Sequence, residues 1–428
     1  MLKKISVEQL RLGMYLHELG CAWVEHPFWR KTFLLDNPKD LKTILSSKIK
    51  WVQIDISRGM DVETGLASQD HCSDSACDAF KVNNCRKCWG MNPDQTSNIE
   101  FTAAVTLPLP RVKLTEEAAR AAVIYAKSRQ AITSMFLEAR MGSALNADDA
   151  LPIVDEISNS VLRNPGALIS LARLKNKDDY TYMHSVAVCA LMVSLAKQLD
   201  LTGEQIRQAG LAGLLHDIGK MMIPDDILNK PGRLTDAEFA TVKDHPTAGH
   251  KMLSGGKGVT EITLDVCLHH HEKMDGNGYP ERLADEQISL YAKMGAICDV
   301  YDAITSNRPY KKGWEPAESI RKMAEWGSGH FDQRIFQAFV RSIGIYPTGS
   351  LIRLESGRLG VVIEQSEKSL LTPVVKVFFS IKSDCRIQPE IMDLSRADCK
   401  DKIISYEEPG KWGITDIQEL WSGIAAAH

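Results

Sequence analysis

The sequence predicts a multidomain protein: a central all-α helical bundle, a small α+β, β-rich N-terminal domain and a small β-rich C-terminal module. Three observations point there. At 428 residues the chain is long enough to bury more than one core. Over about 115–345, apolar residues recur at helical spacing and strand-like alternation is nearly absent. On either side, short runs of β-branched and aromatic residues are separated by turn residues.

The N-terminal domain is expected over 1–110. "KWVQIDI" and "FTAAVTLPL" read as strands, and a helix is expected near 37–47. Trp23, Phe28, Trp29 and Phe33 read as core aromatics. A polar insertion, 57–98, is rich in Asp, Ser, Asn and Cys. "TLPLPRVKL" reads as a linker, because its prolines favour extended backbone. The central domain, with its linker and lead-in helices, is expected over 111–345. Thr115 is expected to cap its first helix, with Glu116 and Glu117 near the positive end of the dipole. Helix formers continue to Arg140, and further helices are expected at 149–163, 179–199, 204–218, 236–253, 291–305 and 316–325. In the C-terminal module, 346–428, "SLIRLESGRLGVVIEQ" and "TPVVKVFFSIKS" predict a hairpin or small sheet without catalytic residues.

Composition narrows the function classes. Apolar residues at 44% and charged residues at 25% are ordinary for a soluble globular protein. A net charge of -4 gives no support for a large nucleic-acid surface or a polybasic membrane patch. The longest apolar stretch, 186–196, is far short of the roughly 20 residues of a membrane span. "MLKKISVEQLRLGMYL" lacks the apolar core of a signal peptide. A cytoplasmic location is expected, where the ten cysteines are reduced thiols or metal ligands rather than disulfides.

The chemistry concentrates between residues 180 and 311. Seven of the twelve histidines fall between His184 and His271 on otherwise apolar helices. Any one of them alone would read as a core or capping histidine. Together they would leave many buried polar groups unpartnered, a cost that bound metal ions remove. Asp299 and Asp302 in "CDVYDA" lie i, i+3, on one helix face. In "GLLHDIGK" the His216-Asp217 pair ends an apolar run, and Gly219 is expected to let the chain turn away at once. "DGNGYP" reads as a loop at the rim of the site, with Gly276 and Gly278 supplying backbone conformations other residues resist. Mixed His and carboxylate donors suit Fe, Mn, Ni, Co or Zn without choosing among them.

His184, "HDIGK" and a downstream aspartate together resemble the HD superfamily of metal-dependent phosphohydrolases. "IPDDILNKPGRLT", "DHPTAGHKML", "HHEKMDGNGYP" and "DVYDAITSNRPYKK" narrow the resemblance to its HD-GYP branch over roughly 170 residues. The resemblance implies an HD-type helical bundle that binds two or three transition metals and hydrolyses the bacterial second messenger cyclic di-GMP. His184, His216, Asp217 and Asp299 would hold one metal; His245, His270 and His271 would hold the second, with Asp217 bridging. His269 is then an extra neighbour, because the family's His-His-Glu falls on His270, His271 and Glu272. Asp217 and Lys220 would be catalytic, Lys220 touching the scissile phosphate or the nucleophile. Arg308 and Lys311 would clamp substrate phosphates, with Gly278, Tyr279 and Pro280 beside the substrate. Where three-metal relatives carry a glutamate, this chain has Tyr180, a poor ligand for a hard cation at neutral pH. Two metals are therefore expected, with Asp302 orienting water or a ligand. Two cations about 3.5–4 Å apart can lower the pKa of a shared water, neutralise phosphate oxygens and orient in-line attack.

The implied product is the linear dinucleotide pGpG and then GMP. pGpG or a cyclic GMP-AMP as preferred substrate, or a weakly catalytic cyclic di-GMP sensor, are the alternatives. Tyr279 could contact a guanine or a partner protein, and a homodimer is compatible with the sequence. "ISVEQLRLGMYL" and "WVEHPFWRKTFLL" resemble the uncharacterised domain often found ahead of HD-GYP modules, which implies a regulatory or partner-binding role. Cys72, Cys77, Cys85 and Cys88, spaced C-x4-C-x7-C-x2-C, could close a structural zinc site. That spacing fits no common zinc module, so redox chemistry and a mobile polar loop stay open beside zinc, the loop being the default.

Overall fold

The computed structural model describes residues 2–19, 33–36, 38–45, 49–61, 110–172, 180–230, 232–306, 313–366 and 369–424. Two compact units result, Met1–Leu107 and Pro108–His428. Trp23, Phe28, Trp29, "FTAAVTLPL" and the insertion with Cys72, Cys77, Cys85 and Cys88 lie outside the described residues, as do Arg308 and Lys311.

In the first unit, β1 (Leu2–Ser6), β2 (Tyr15–Leu19), β3 (Phe33–Leu34) and β4 (Trp51–Asp55) form an antiparallel sheet in the order β1-β4-β2-β3, with α1 spanning Pro38–Leu45. Alternation in β4 puts Val52 and Ile54 inside while Trp51, Gln53 and Asp55 stay partly exposed. That is the period-2 signature of a strand covered on one face. Ile5, Leu16, Leu35 and Ile44 complete the core.

The second unit opens with α2 (Leu114–Arg140), whose buried residues Leu114, Ala118, Ala121, Ile124, Ser128, Ile132 and Phe136 follow one face at helical spacing. Its N-cap is Lys113, without a side-chain bond, so Thr115 lies inside the first turn rather than capping it. The fully buried Glu117 accepts two hydrogen bonds from Arg163, at 2.7 and 2.8 Å. Arg163 ends α3 (Leu151–Arg163), and α4 (Pro165–Ala172) follows. Next, α5 (Tyr180–Gln198) is buried all round from Met183 to Ala196, which suits a helix surrounded by others. It packs against α3, α4, α6 (Gly203–Leu215), α11 (Leu290–Thr305) and α13 (Gln333–Ile343).

Between α6 and α11 run α7 (Asp225–Leu228), α8 (Asp236–Lys243), α9 (His245–Ser254) and α10 (Glu261–His269). The single helix expected over 236–253 is thus two. Asp244 ends α8 and begins α9, because Pro246 has no N–H for Val242 and fits only a first turn. α10 was not foreseen, nor was α13; α12 (Pro316–Glu325) was.

The C-terminal strands are β5 (Leu351–Leu354), β6 (Arg358–Glu364), β7 (Val374–Ser380), β8 (Cys385–Asp393) and β9 (Ile403–Tyr406), an antiparallel sheet in the order β8-β7-β6-β5-β9. A hairpin or small sheet was expected; β8 and β9 enlarge it. α14 (Ile417–Ser422) packs on both β6 and α2, joining sheet to helices through buried Trp421. Among the described residues no helix is long and apolar enough to cross a membrane.

Candidate metal centre

Four helix ends and two helix interiors deliver the polar groups. His184 comes from the first turns of α5, and Asp299 and Asp302 from α11. His216 is the C-cap of α6 and Asp217 starts the 3-10 turn Ile218–Met222. His245 opens α9, directly after α8, and His270 is the C-cap of α10 with His271 next.

The helix ends also orient the rings. The last carbonyls of a helix lack intrahelical donors. Here imidazoles fill them. His216 Nδ1 lies 2.8 Å from Gly213 O, His245 Nδ1 2.7 Å from Val242 O, and His270 Nδ1 3.0 Å from both Val266 O and Cys267 O. A neutral imidazole donating from Nδ1 presents its Nε2 lone pair, the arrangement a metal ligand requires. His184 is held differently, with Nδ1 2.6 Å from Asp302 Oδ2 and Nε2 2.9 Å from Asp299 Oδ1. Ser306 Oγ donates to the other Asp302 oxygen at 3.2 Å.

Two donor groups result: His184, His216, Asp217 and Asp299, and His245, His270 and His271, with the donor atoms of each group within 4.8 Å of one another. All are buried except His271, which is part-exposed. Fully buried Asp217 stands between them. Its Oδ2 lies 3.3 Å from both His184 Nε2 and His216 Nε2, while its Oδ1 lies 3.2 Å from His245 Nε2 and 3.7 Å from His270 Nε2. Yet Asp217 Oδ1 and His216 Nε2 have no hydrogen-bond partner. Leaving such buried groups unmatched costs on the order of 1–3 kcal/mol each. Divalent cations would satisfy both at once, so the residues present fit the metals that the donor chemistry implies.

Electrostatics splits the two groups. Burial disfavours a charged His184, but hydrogen bonds to Asp217, Asp299 and Asp302 outweigh it and push the pKa up to about 10. His216 is likewise raised, burial being overcome by Asp217 and Asp299. Burial would raise Asp217 and Asp299, yet the neighbouring histidines, with Lys220 beside Asp217, hold both carboxyls well below their usual range. Burial and neighbouring imidazoles push His270 down, and burial is the main cause taking His271 to about 3. Five imidazoles surround two ionised carboxylates, a cage for cations.

Lys220 Nζ donates to Asp217 Oδ2 and faces a cavity of about 300 Å³. Its polar side is His184, His245, His271 and Asp299; its apolar side is Val242, Tyr279, Val300, Ala303 and Ile304. Val300, Ala303 and Ile304 share α11 with Asp299 and Val242 lies in the last turn of α8 just before His245, but none carries a signal of its own in the sequence. Tyr279 stacks on His271 with centroids 4.7 Å apart, and its N–H donates to His271 O at 3.3 Å. Burial raises its phenol pKa.

Glycines fit the loops in two ways. Gly276 has φ of +74°, as its turn requires. Gly278 serves close approach instead: a Cβ would fall 2.5 Å from Glu272 Cα. The same correction applies to Gly219, expected to turn the chain. It sits in the 3-10 turn, and a Cβ there would lie 2.0 Å from His245 O, so its bareness lets α9 touch the Asp217 segment.

The remaining candidates separate. Buried Glu272 accepts from Glu281 N at 2.7 Å and Arg282 N at 2.9 Å, tying down the chain after Pro280. His269 is turned elsewhere, to Asp265 at 2.7 Å and Glu281 at 3.3 Å. Tyr180 begins α5, but its side chain is outside what the structure describes.

Residues 162–335 match the HD domain family, and residues 2–150 match a domain of unknown function, DUF3391. Over 434 aligned residues the chain is 52% identical to a cyclic di-GMP phosphodiesterase of Pseudomonas aeruginosa, covering 99% of this chain and 97% of that protein. It is 40% identical over 148 residues to a cyclic di-GMP phosphodiesterase response regulator of Xanthomonas campestris pv. campestris, covering 34% of this chain and 39% of that one. It is 36% identical over 167 residues to a 3'3'-cGAMP-specific phosphodiesterase of Vibrio cholerae, covering 39% of this chain and 38% of that one.

Proposed function

Because the chain belongs to the HD-GYP family of cyclic di-GMP phosphodiesterases, we propose that it opens cyclic di-GMP to the linear dinucleotide pGpG and carries hydrolysis on to GMP. The observation that carries this reading is Asp217, buried between two donor groups with one oxygen toward each.

His184, His216, Asp217 and Asp299 would hold one cation, and His245, His270 and His271 the other, with Asp217 common to both. Divalent transition metals there would supply Lewis acidity and an activated water for attack on a phosphodiester. Fe, Mn, Ni, Co and Zn all suit these donors. Asp302 favours two metals over three, because its oxygens are engaged by His184 Nδ1 and Ser306 Oγ. In this role it orients a ligand.

The chain's own groups do the rest. Lys220, held by Asp217 at the cavity wall, places an ammonium where a non-bridging phosphate oxygen would sit. The helix-end carbonyls keep three Nε2 atoms aimed inward before substrate arrives. Tyr279 covers His271 and narrows the entrance. Val242, Val300, Ala303 and Ile304 make that wall apolar, which strengthens the charge interactions beside it.

Metal-loaded protein should convert cyclic di-GMP to pGpG and GMP, and Asp217→Ala should lose both bound metal and turnover. Full activity in that variant would sink the assignment. The cGAMP-specific relative makes base identity a separate question, since Asp217 and the imidazoles would hold metals and Lys220 would meet phosphate, and none of them reads a base. Comparing kcat/KM for cyclic di-GMP, cyclic GMP-AMP and pGpG decides it.

A further inference from the structure

Resting on the phosphodiesterase reading, we propose that Lys243, held at the cavity mouth by Phe239 and Tyr279, contacts the second, non-scissile phosphate of the cyclic dinucleotide. A cyclic dinucleotide carries two phosphodiesters in one ring, and only one can be attacked at a time. The cavity of about 300 Å³ is at the small end of ligand sites, so much of the substrate must be recognised at the rim.

Lys243 is fixed at that rim by its chain neighbours. It is the last residue of α8, between Val242, which lines the cavity and accepts from His245 Nδ1, and the start of α9 at His245. α8 is itself pinned. Thr235 and Glu238 form a capping box at its start, and Lys230 donates to both Glu238 oxygens at 2.7 Å.

What surrounds the ammonium sets it apart. Lys220 is paired with Asp217 beside the scissile position, and Lys230 with Glu238. Lys243 has no carboxylate within ion-pair distance among the described residues; its Nζ lies 4.7 Å from the Phe239 ring centre and 5.5 Å from that of Tyr279. An aromatic face attracts a cation while leaving its three N–H donors free for an anion. Phe239 is 47% exposed, so the ammonium beside its ring stays open to solvent and to an incoming anion. Tyr279 connects this cation to the centre, because its ring also stacks on His271. An ammonium with no ion-pair partner among the described residues, one ring away from the metal-facing imidazoles, is suited to a second phosphate.

The test compares cyclic di-GMP with bis(p-nitrophenyl) phosphate, which has one phosphodiester and no second phosphate. Lys243→Met keeps the aliphatic stem against both rings and removes only the charge. The ratio of kcat/KM for cyclic di-GMP to that for bis(p-nitrophenyl) phosphate should fall roughly 10- to 100-fold, the loss of one charged hydrogen bond. The change should appear in KM, with a shallower salt dependence, and Lys243→Arg should recover part of it. An unchanged ratio in Lys243→Met, whether both activities fall together or neither does, would overturn the assignment. Wild-type protein that cleaves bis(p-nitrophenyl) phosphate but leaves cyclic di-GMP intact would overturn the substrate reading itself, and this proposal with it.

Discussion

Gly219 is where a single methyl group would disturb the proposed centre most. A Cβ there would lie 2.0 Å from His245 O and 2.5 Å from Gly249 N, both backbone atoms of α9 with no rotamer to yield. Ordinary contact begins near 3.4 Å, so α9 must recede by more than 1 Å from the segment that carries Asp217. His245 moves with α9, and its Nε2 begins 3.2 Å from Asp217 Oδ1. Metal–ligand distances tolerate only about 0.2 Å. Gly219→Ala should therefore cost about 1–3 kcal/mol in stability from overpacking. It should also weaken binding of one of the two proposed metals by about 10- to 100-fold, the usual penalty for displacing a ligand's support. Thermal unfolding, with metal content by elemental analysis across a metal titration, reads both effects. A variant with wild-type melting temperature and two metals bound at wild-type affinity would refute the close-approach reasoning.

Two further outcomes follow from groups outside the donor set. Glu272→Ala removes the acceptor of the Glu281 and Arg282 amides, part-buried hydrogen bonds worth about 1 kcal/mol each. Hydrogen exchange at those two amides should accelerate ahead of global unfolding, and unchanged protection would contradict their dependence on Glu272. Burial alone would raise the Glu117 pKa, but Arg163 outweighs it and holds the carboxyl below its ordinary 4.5. Its stabilisation is therefore complete above pH 4.5 and disappears as pH falls through the lower folded value. Melting temperature measured from pH 6 to 3 should fall less in a Glu117→Gln, Arg163→Met double variant than in wild type. Arg163→Met alone leaves the buried carboxylate to the more distant Arg120, at 3.5 Å, and should cost about 1–3 kcal/mol at neutral pH; parallel pH curves for wild type and double variant would refute the account.

Much of the site was legible because its signals are short-range. His216-Asp217 and His270-His271 are adjacent in the chain, and Asp299 and Asp302 share a helix face through i, i+3 spacing. The helices lost from view were those whose limits depend on one residue's geometry. Apolar spacing ran through Asp244 and hid the break that Pro246 enforces. α10 was missed as well, and with it the fact that His270 sits on a helix end whose carbonyls select its tautomer.

The amino-acid sequence by itself determined the donor types, their order and the helical class, since each depends on neighbours within a turn or two. Tertiary structure alone decided that Asp302 belongs to His184 and that His269 faces Asp265 and Glu281. It alone turned one Asp217 oxygen toward each donor group, made Gly219 a contact rather than a turn, and left Lys243 between two rings with no carboxylate within ion-pair distance among the described residues. His184 and Asp302 lie 118 positions apart. No periodicity reaches that far: such contacts exist only once α5, α6, α9, α10 and α11 have packed, and their distances are set by side-chain volumes along every interface between them.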